Sequence, residues 1–285
     1  MRERNRSGRY WLPIISALAV ALVKPPPNDA YSRGHEARRV APPHAVALPS
    51  QNRWDPLAQL AQDDPLALLA AAQERCGREI QDYCCILERQ EQRDKRLGDV
   101  ERIEMRYRSR PQSVYLSWLQ NPGRARKAVY VRGRDRDDRG RELAVVEPAG
   151  CVLRFFASKV RIPVRGKEAR AASRQTLDKA GFRGTFASLD RVHGRATARG
   201  ELELTYAGEG EIDGRLTYVL VRELPYTGEE CVYPNAKLIL HLDQQWLLPV
   251  GIYSYADRDA TAILGSYTMT DVEINVGLDD QAFEF

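Results

Sequence analysis

The sequence predicts a mainly β, α+β fold: a curved antiparallel sheet or half-barrel of about eleven strands, with an N-terminal helix and a helical insert. Three observations carry that expectation. Polar and apolar residues alternate with a period of two through most of 82–157 and again through 201–272. A helical spacing of apolar residues occupies 64–80 and returns within 158–200. No unit of 20–50 residues repeats, which disfavours a propeller or a solenoid.

The composition is that of a globular protein, with 29% charged and 43% hydrophobic residues in a chain of 285. Its net charge of +4 conceals a strong segregation. Residues 1–50 carry +5, 51–100 carry −3, 101–200 carry +14 and 201–285 carry −12. Without its first fifty residues the chain is slightly acidic, so charge alone does not make it a nucleic-acid binder, and no nucleic-acid partner is expected.

Residues 1–23 read as a signal peptide or N-terminal anchor. Arg2, Arg4, Arg6 and Arg9 precede an apolar run from Trp11 to Val23, closed by Lys24. A basic segment followed by about 7–15 apolar residues is the secretory pattern, and a spanning helix needs about 20. The expectation is export to the periplasm or cell envelope, with residues 11–23 either cleaved with the signal or retained as an inner-membrane anchor. Residues 24–62 read as a linker, since Pro25-Pro26-Pro27, Pro42-Pro43 and Pro49 remove backbone donors and fix φ. His35 and His44 in it are read as solvated side chains, not metal ligands. Residues 63–285 form the single folded domain.

Within it, Asp64-Pro65 starts a helix, because Asp caps the free N–H groups and Pro fits the first turn. Leu66, Leu69, Ala70, Gln73, Cys76, Gly77 and Ile80 follow at helical spacing. Strands are expected at 82–93, 101–108, 112–119, 127–134, 141–147 and 151–157, separated by turn signals such as Leu97-Gly98-Asp99, Arg110-Pro111 and Asn121-Pro122-Gly123. In 101–108, Ile103, Met105 and Tyr107 alternate with Arg102, Glu104, Arg106 and Arg108, giving one dry and one wet face. The alternation fades over 158–200. Ser173 is a candidate cap for one interrupted helix or two short ones, with an apolar face of Phe182, Phe186, Leu189 and Val192. Strands resume at 201–208, 215–222, 235–243, 247–255 and 261–272.

Certain stretches resemble a known family. Asp82-Tyr83-Cys84-Cys85 through Glu91, Met105 to Trp118, Val129-Tyr130-Val131-Arg132-Gly133, Leu240 to Val250, and Asp271 to Phe283 look like an uncharacterised bacterial envelope family abundant in planctomycetes. More distantly, the order of elements is similar to the lipoprotein-localisation fold of the LolA and LolB carriers. That resemblance implies an antiparallel half-barrel cupping a hydrophobic cavity under helices. The family transfers no catalytic residue.

Chemistry is sparse. CxxC, HExxH, GxSxG, Walker A and GxGxxG patterns are all missing from the sequence, so it names no catalytic residue, metal or cofactor, and an enzyme is not supported. His241 alternates with Ile239 and is read as a surface or interfacial strand residue. Five cysteines leave at least one thiol without an intrachain partner. Cys76 is near enough in sequence to bridge Cys84 or Cys85, and Cys151 could pair with Cys231, while buried free thiols are the alternative.

Met105, Tyr107, Trp118, Phe155, Phe156, Tyr206, Tyr218 and Tyr253 either fill a β core or line an apolar cavity. Two functions follow. One is a non-enzymatic carrier of a lipid or lipoprotein acyl chain. The other is an envelope interaction module with a filled core. In addition, Arg170, Arg174, Arg183, Arg191 and Arg195 suggest a basic patch for an anionic membrane surface or an acidic envelope partner.

Overall fold

Asp55-Pro56 and Asp64-Pro65 each start a helix in the computed structural model, which describes residues 55–150, 158–228 and 231–285. The Asp55 carboxylate accepts from the Leu57 N–H at 2.9 Å and that of Asp64 from the Ala67 N–H at 2.9 Å. Helix α1 spans Pro56–Asp63 and α2 spans Pro65–Glu79. Residues 56–62, expected in the linker, are therefore helical; the second Asp-Pro pair obscured the first. The expected apolar face of α2 is also rotated. Leu68, Leu69, Ala72 and Cys76 are buried, whereas Leu66, Ala70, Gln73 and Gly77 are exposed. Three leucines within four positions fit either face, and the alternative face ends on Ala70 and Gly77, which bury little apolar area.

The strands are β1 Asp82–Arg93, β2 Arg96–Leu97, β3 Glu101–Ser109, β4 Gln112–Gln120, β5 Ala125–Val131, β6 Leu143–Pro148 and β7 Val160–Pro163. After the insert come β8 Glu203–Ile212, β9 Arg215–Glu223, β10 Lys237–Asp243, β11 Pro249–Tyr255 and β12 Ile263–Ile274. They build one open antiparallel sheet of 12 strands, ordered β7-β6-β5-β4-β3-β1-β12-β11-β10-β9-β8, with β2 paired to β1. The mainly β, half-barrel expectation is met. The strand expected at 151–157 lies outside the described residues, and β7 falls in the segment where alternation faded.

The topology explains the insert. The chain meanders outward from β1 to one edge, crosses to the other edge and meanders back, so that β12 pairs with β1. The crossover carries α3 (Lys167–Ala172), a short 3-10 turn at Leu177–Lys179, and α4 (Phe182–Ala198). Ser173 ends α3 instead of capping a helix start.

Helix α4 lays Phe182, Phe186 and Leu189 into the main core. Full burial of such side chains is worth about 1.5–3 kcal/mol each. The two glycines that interrupt its sequence pattern permit this approach. Gly181 has φ +85°, and a Cβ there would sit 2.7 Å from the Tyr83 hydroxyl; at Gly184 a Cβ would strike the Lys179 carbonyl.

Residues alternate between two faces of the sheet. Cys85, Met105 and Leu116 are cross-strand neighbours on the helix-covered face, with Tyr83, Ile103, Tyr107, Leu220 and Leu240 in the same cluster. On the opposite face, Tyr115, Val129 and Val131 are covered by the C-terminal segment through Leu278, Ala282, Phe283 and Phe285. Arg108 lies over the Phe283 ring, and Lys127 and Lys159 over that of Phe285.

Candidate functional site

The helix-covered face gathers most of the expected cavity residues. Met105, Tyr107 and Tyr218 are buried in its core cluster, and Trp118 and Tyr206 pack against it half-buried. Tyr83 stacks on Tyr107 at 5.1 Å and meets Phe182 at 4.5 Å, so the α4 ring fills the space beside Tyr83. The Tyr218 hydroxyl donates to the Asp55 carboxylate at 2.5 Å, tying the start of α1 to β9. Tyr253 points elsewhere: its neighbours Val250 and Ile252 belong to the main core, while Tyr253 lies edge-on to His241 at 5.8 Å on the other face. Phe155 and Phe156 fall outside the described residues.

At one end of this face the sheet buries charge. Glu101 accepts from Arg89, from Arg93 at 3.2 Å and from the Trp118 indole N–H at 2.8 Å. Glu91, whose side chain is fully buried, accepts from the Tyr267 hydroxyl at 2.7 Å, from Ser173 Oγ at 3.2 Å and from the Arg174 backbone N–H at 3.3 Å. Arg89 also donates to Ser173 Oγ at 3.0 Å and lies over the Trp118 ring. Two carboxylates balance two guanidiniums. Burial works against the Arg89 cation, yet the Glu91 and Glu101 charges outweigh it and hold its pKa above the ordinary value. Burial, then Glu91, pushes Tyr267 well above the ordinary tyrosine value, keeping it a donor. This network joins β1, β3, β4 and β12 to the crossover just after α3. The sequence carried its signal: Arg89 and Glu91 are in phase with Tyr83, Cys85 and Leu87, and Glu101 with Ile103 and Met105.

The insert arginines divide by use. Arg183 donates to the carbonyls of Gly77 at 2.7 Å and Ile80 at 3.1 Å, closing the C-terminal end of α2. Arg174 and Arg195 donate to the carbonyls of Pro234 and Val232, and Arg170 and Arg191 are exposed.

Both body histidines are buried, which corrects the surface reading of His241. Its Nδ1 lies 3.0 Å from Thr217 Oγ1, and burial lowers its pKa to about 4. A lone His on an alternating strand carries no sign of which face is covered. His193, on α4, is lowered to about 4 by burial and then by Arg222. Cys76, Cys84, Cys85 and Cys231 are free thiols, so the bridge from Cys76 to Cys84 or Cys85 is not formed. Burial raises Cys76 to about 11 and Cys85 further, leaving both protonated and poorly nucleophilic. Cys151 lies outside the described residues.

Two clefts open at opposite ends of the central strands. One, of about 510 Å3, lies beside Glu91, Arg93 and Glu101. The other, of about 610 Å3, lies where β1 begins, β3 ends and α2 meets α4.

A family model described as "Protein of unknown function (DUF1571)" matches residues 80–285. The chain belongs to the DUF1571 family. No curated protein matches this DUF1571 chain. Among solved structures it is similar to MucB, at 12% identity and a TM-score of 0.44 over 77% of this chain and 62% of MucB, so it spans less than two thirds of that protein. It is also similar to a putative outer membrane lipoprotein-sorting protein domain from Vibrio parahaemolyticus, at 13% identity and 0.35 over 76% of this chain and 95% of that one. A LolA superfamily protein from Nitrosomonas europaea follows at 13% and 0.25, over 76% and 97%. The expected resemblance to an uncharacterised family is thus met over residues 80–285.

Proposed function

We propose that this DUF1571 protein is an exported, non-enzymatic carrier of the cell envelope that takes up a lipid or a lipoprotein acyl chain on the helix-covered face. The supporting observation is how that face is filled. Its apolar strands are closed by Phe182, Phe186 and Leu189 of α4 and by Leu68, Leu69 and Ala72 of α2, all on the amphipathic helices laid across the sheet. An acyl chain is a chemical equivalent of those side chains, gaining about 0.8 kcal/mol per buried CH2, so exchanging helix for chain keeps the apolar area covered. The Glu91 and Glu101 network fastens the crossover in the closed form. The export signal and anchor belong to this proposal, with residues 1–54 outside the described ones. So does docking of Arg170, Arg174, Arg183, Arg191 and Arg195 on an anionic membrane surface or an acidic partner.

Tight packing of Met105, Tyr107 and Tyr218 favours a second reading, an interaction module with a permanently filled core. Native mass spectrometry of the full chain, with and without an added fluorescent fatty acid, separates the two. A carrier retains or exchanges an apolar ligand and loses it in Met105→Glu, whose folding is followed in parallel by circular dichroism. No retained and no exchangeable ligand in the wild type overturns the carrier.

A further inference from the structure

The 610 Å3 cleft is lined by Arg78, Arg108, Arg110 and Arg183, against the carboxylates of Asp82 and Asp279. These arginines come from three separate elements: α2, the end of β3 with its following turn, and the first turn of α4. Their convergence is a product of topology, since α4 reaches α2 only through the crossover.

Arg78 pairs at the surface with Glu74 at 3.1 Å and Glu79 at 2.8 Å, and the other three arginines keep donors unused. Arg183 Nη2 serves the α2 carbonyls, but its Nε is buried without a partner. Arg108 donates to Asp280 at 2.6 Å, to Ser113 Oγ at 3.3 Å and to the Leu278 carbonyl at 3.4 Å, and its Nε alone is buried without a partner. Among the described residues, Arg110 makes no side-chain hydrogen bond. Asp82 is already engaged, its Oδ1 accepting from the Gly277 N–H at 3.1 Å. Buried donors without acceptors are uncommon in folded proteins and call for an explanation.

We propose that this cleft is a binding site for a phosphate ester. Guanidinium forks match the oxygens of a phosphate, and several forks converging from different elements suit a tetrahedral group with three or more acceptors. A carboxylate, with two oxygens in one plane, occupies a single fork. The volume lies within the usual range for a small-molecule site and accommodates the ester with a short polyol. The site stands independently of the carrier reading, because it needs no opening of the apolar face. The ester can arrive free in solution or as the headgroup of an anionic phospholipid.

The test uses the full chain and two probes. Isothermal titration with glycerol 3-phosphate reports the free ester, and flotation with phosphatidylglycerol against phosphatidylcholine vesicles reports the headgroup. Arg78→Ala and Arg110→Ala alter arginines that bear no buried hydrogen bond, and Arg183→Lys keeps the charge but not the fork; thermal melts check that each variant folds. The expected result is saturable binding of at least one probe, weakened about tenfold by each alanine variant and partly by Arg183→Lys. Binding of glycerol 3-phosphate with this pattern assigns a free ester. Variant-sensitive binding to phosphatidylglycerol vesicles alone assigns the headgroup. Absence of binding to both probes, or equal binding by wild type and folded variants, overturns the proposal.

Discussion

The Tyr267 hydroxyl donates to Glu91 Oε1 at 2.7 Å, and the same carboxylate accepts from Ser173 and Arg174 of the crossover. One buried side chain therefore fastens β12 and the crossover to β1. In Glu91→Gln the geometry is kept while Arg89 and Arg93 lose half their balancing charge. Leaving a buried charge without its partner costs about 3–5 kcal/mol. Urea unfolding should show a loss in the lower part of that range. Hydrogen exchange should quicken in α3 and α4 before the central strands, and a uniform increase would reject the fastening role.

Glu101→Ala removes the acceptor shared by Arg89, Arg93 and the Trp118 indole. It should destabilise by about 3–5 kcal/mol, and Glu101→Gln by less, because an amide oxygen still accepts from the indole. Chemical unfolding of the two variants side by side tests the order. Equal losses would mean that charge matters more than the shared acceptor.

His241 and His193 are each lowered to about 4 from the ordinary 6.5, mainly by burial. Between those values the unfolded chain binds protons that the folded one does not. The stability held above about pH 6.5 is therefore lost as pH falls toward 4, by about 3 kcal/mol per histidine. His241→Leu should flatten part of that dependence in urea titrations at pH 7 and pH 4.5. An unchanged slope would place the acid sensitivity on other groups.

Phe283 is fully buried against Tyr115, Val129 and Val131, under the Arg108 guanidinium. Phe283→Ala should cost about 3 kcal/mol in thermal or urea unfolding. A change within experimental error would show that the C-terminal segment is not held on the sheet in solution.

Gly181→Ala forces a Cβ against Tyr83 and Tyr107 at φ +85° and should cost about 2–3 kcal/mol. Gly194, also associated with α4, has open space around it. Gly194→Ala should instead stabilise by about 0.5–1 kcal/mol. Melting temperatures that move in the same direction for both would contradict the packing of the α4 start.

The strands were legible because alternation such as Ile103, Met105 and Tyr107 against Arg102, Glu104 and Arg106 is a local property. Local spacing could not decide which α2 face turns inward, since Leu66, Leu68 and Leu69 satisfy both. It also could not reveal the burial of His241, which depends on what covers the sheet. Of the residues expected to line a cavity, Met105, Tyr107, Trp118, Tyr206 and Tyr218 share one face of the sheet. Tyr253 departs because a position in an isolated strand carries no absolute sense of inside, only a phase. Glu91 and Glu101 were readable as charges in phase with apolar residues, but their partners Ser173 and Trp118 come from other elements. The arginine cleft was harder still, because Arg183 and Arg78 are 105 positions apart and meet only through the crossover.

The pairing of β1 with β12 also bears on the order of assembly. Cys84 faces Glu273 and Glu91 faces Gly265, so the middle of the sheet is stitched from segments nearly two hundred residues apart. Each meander can form by short hairpins as soon as its own strands exist. One long edge of β1 nevertheless remains unpaired until the last strand arrives, and closing such a distant contact is intrinsically slow. Until β12 is made, the edge of β1 that it pairs with has no partner strand, and such an open edge is a template for wrong pairing.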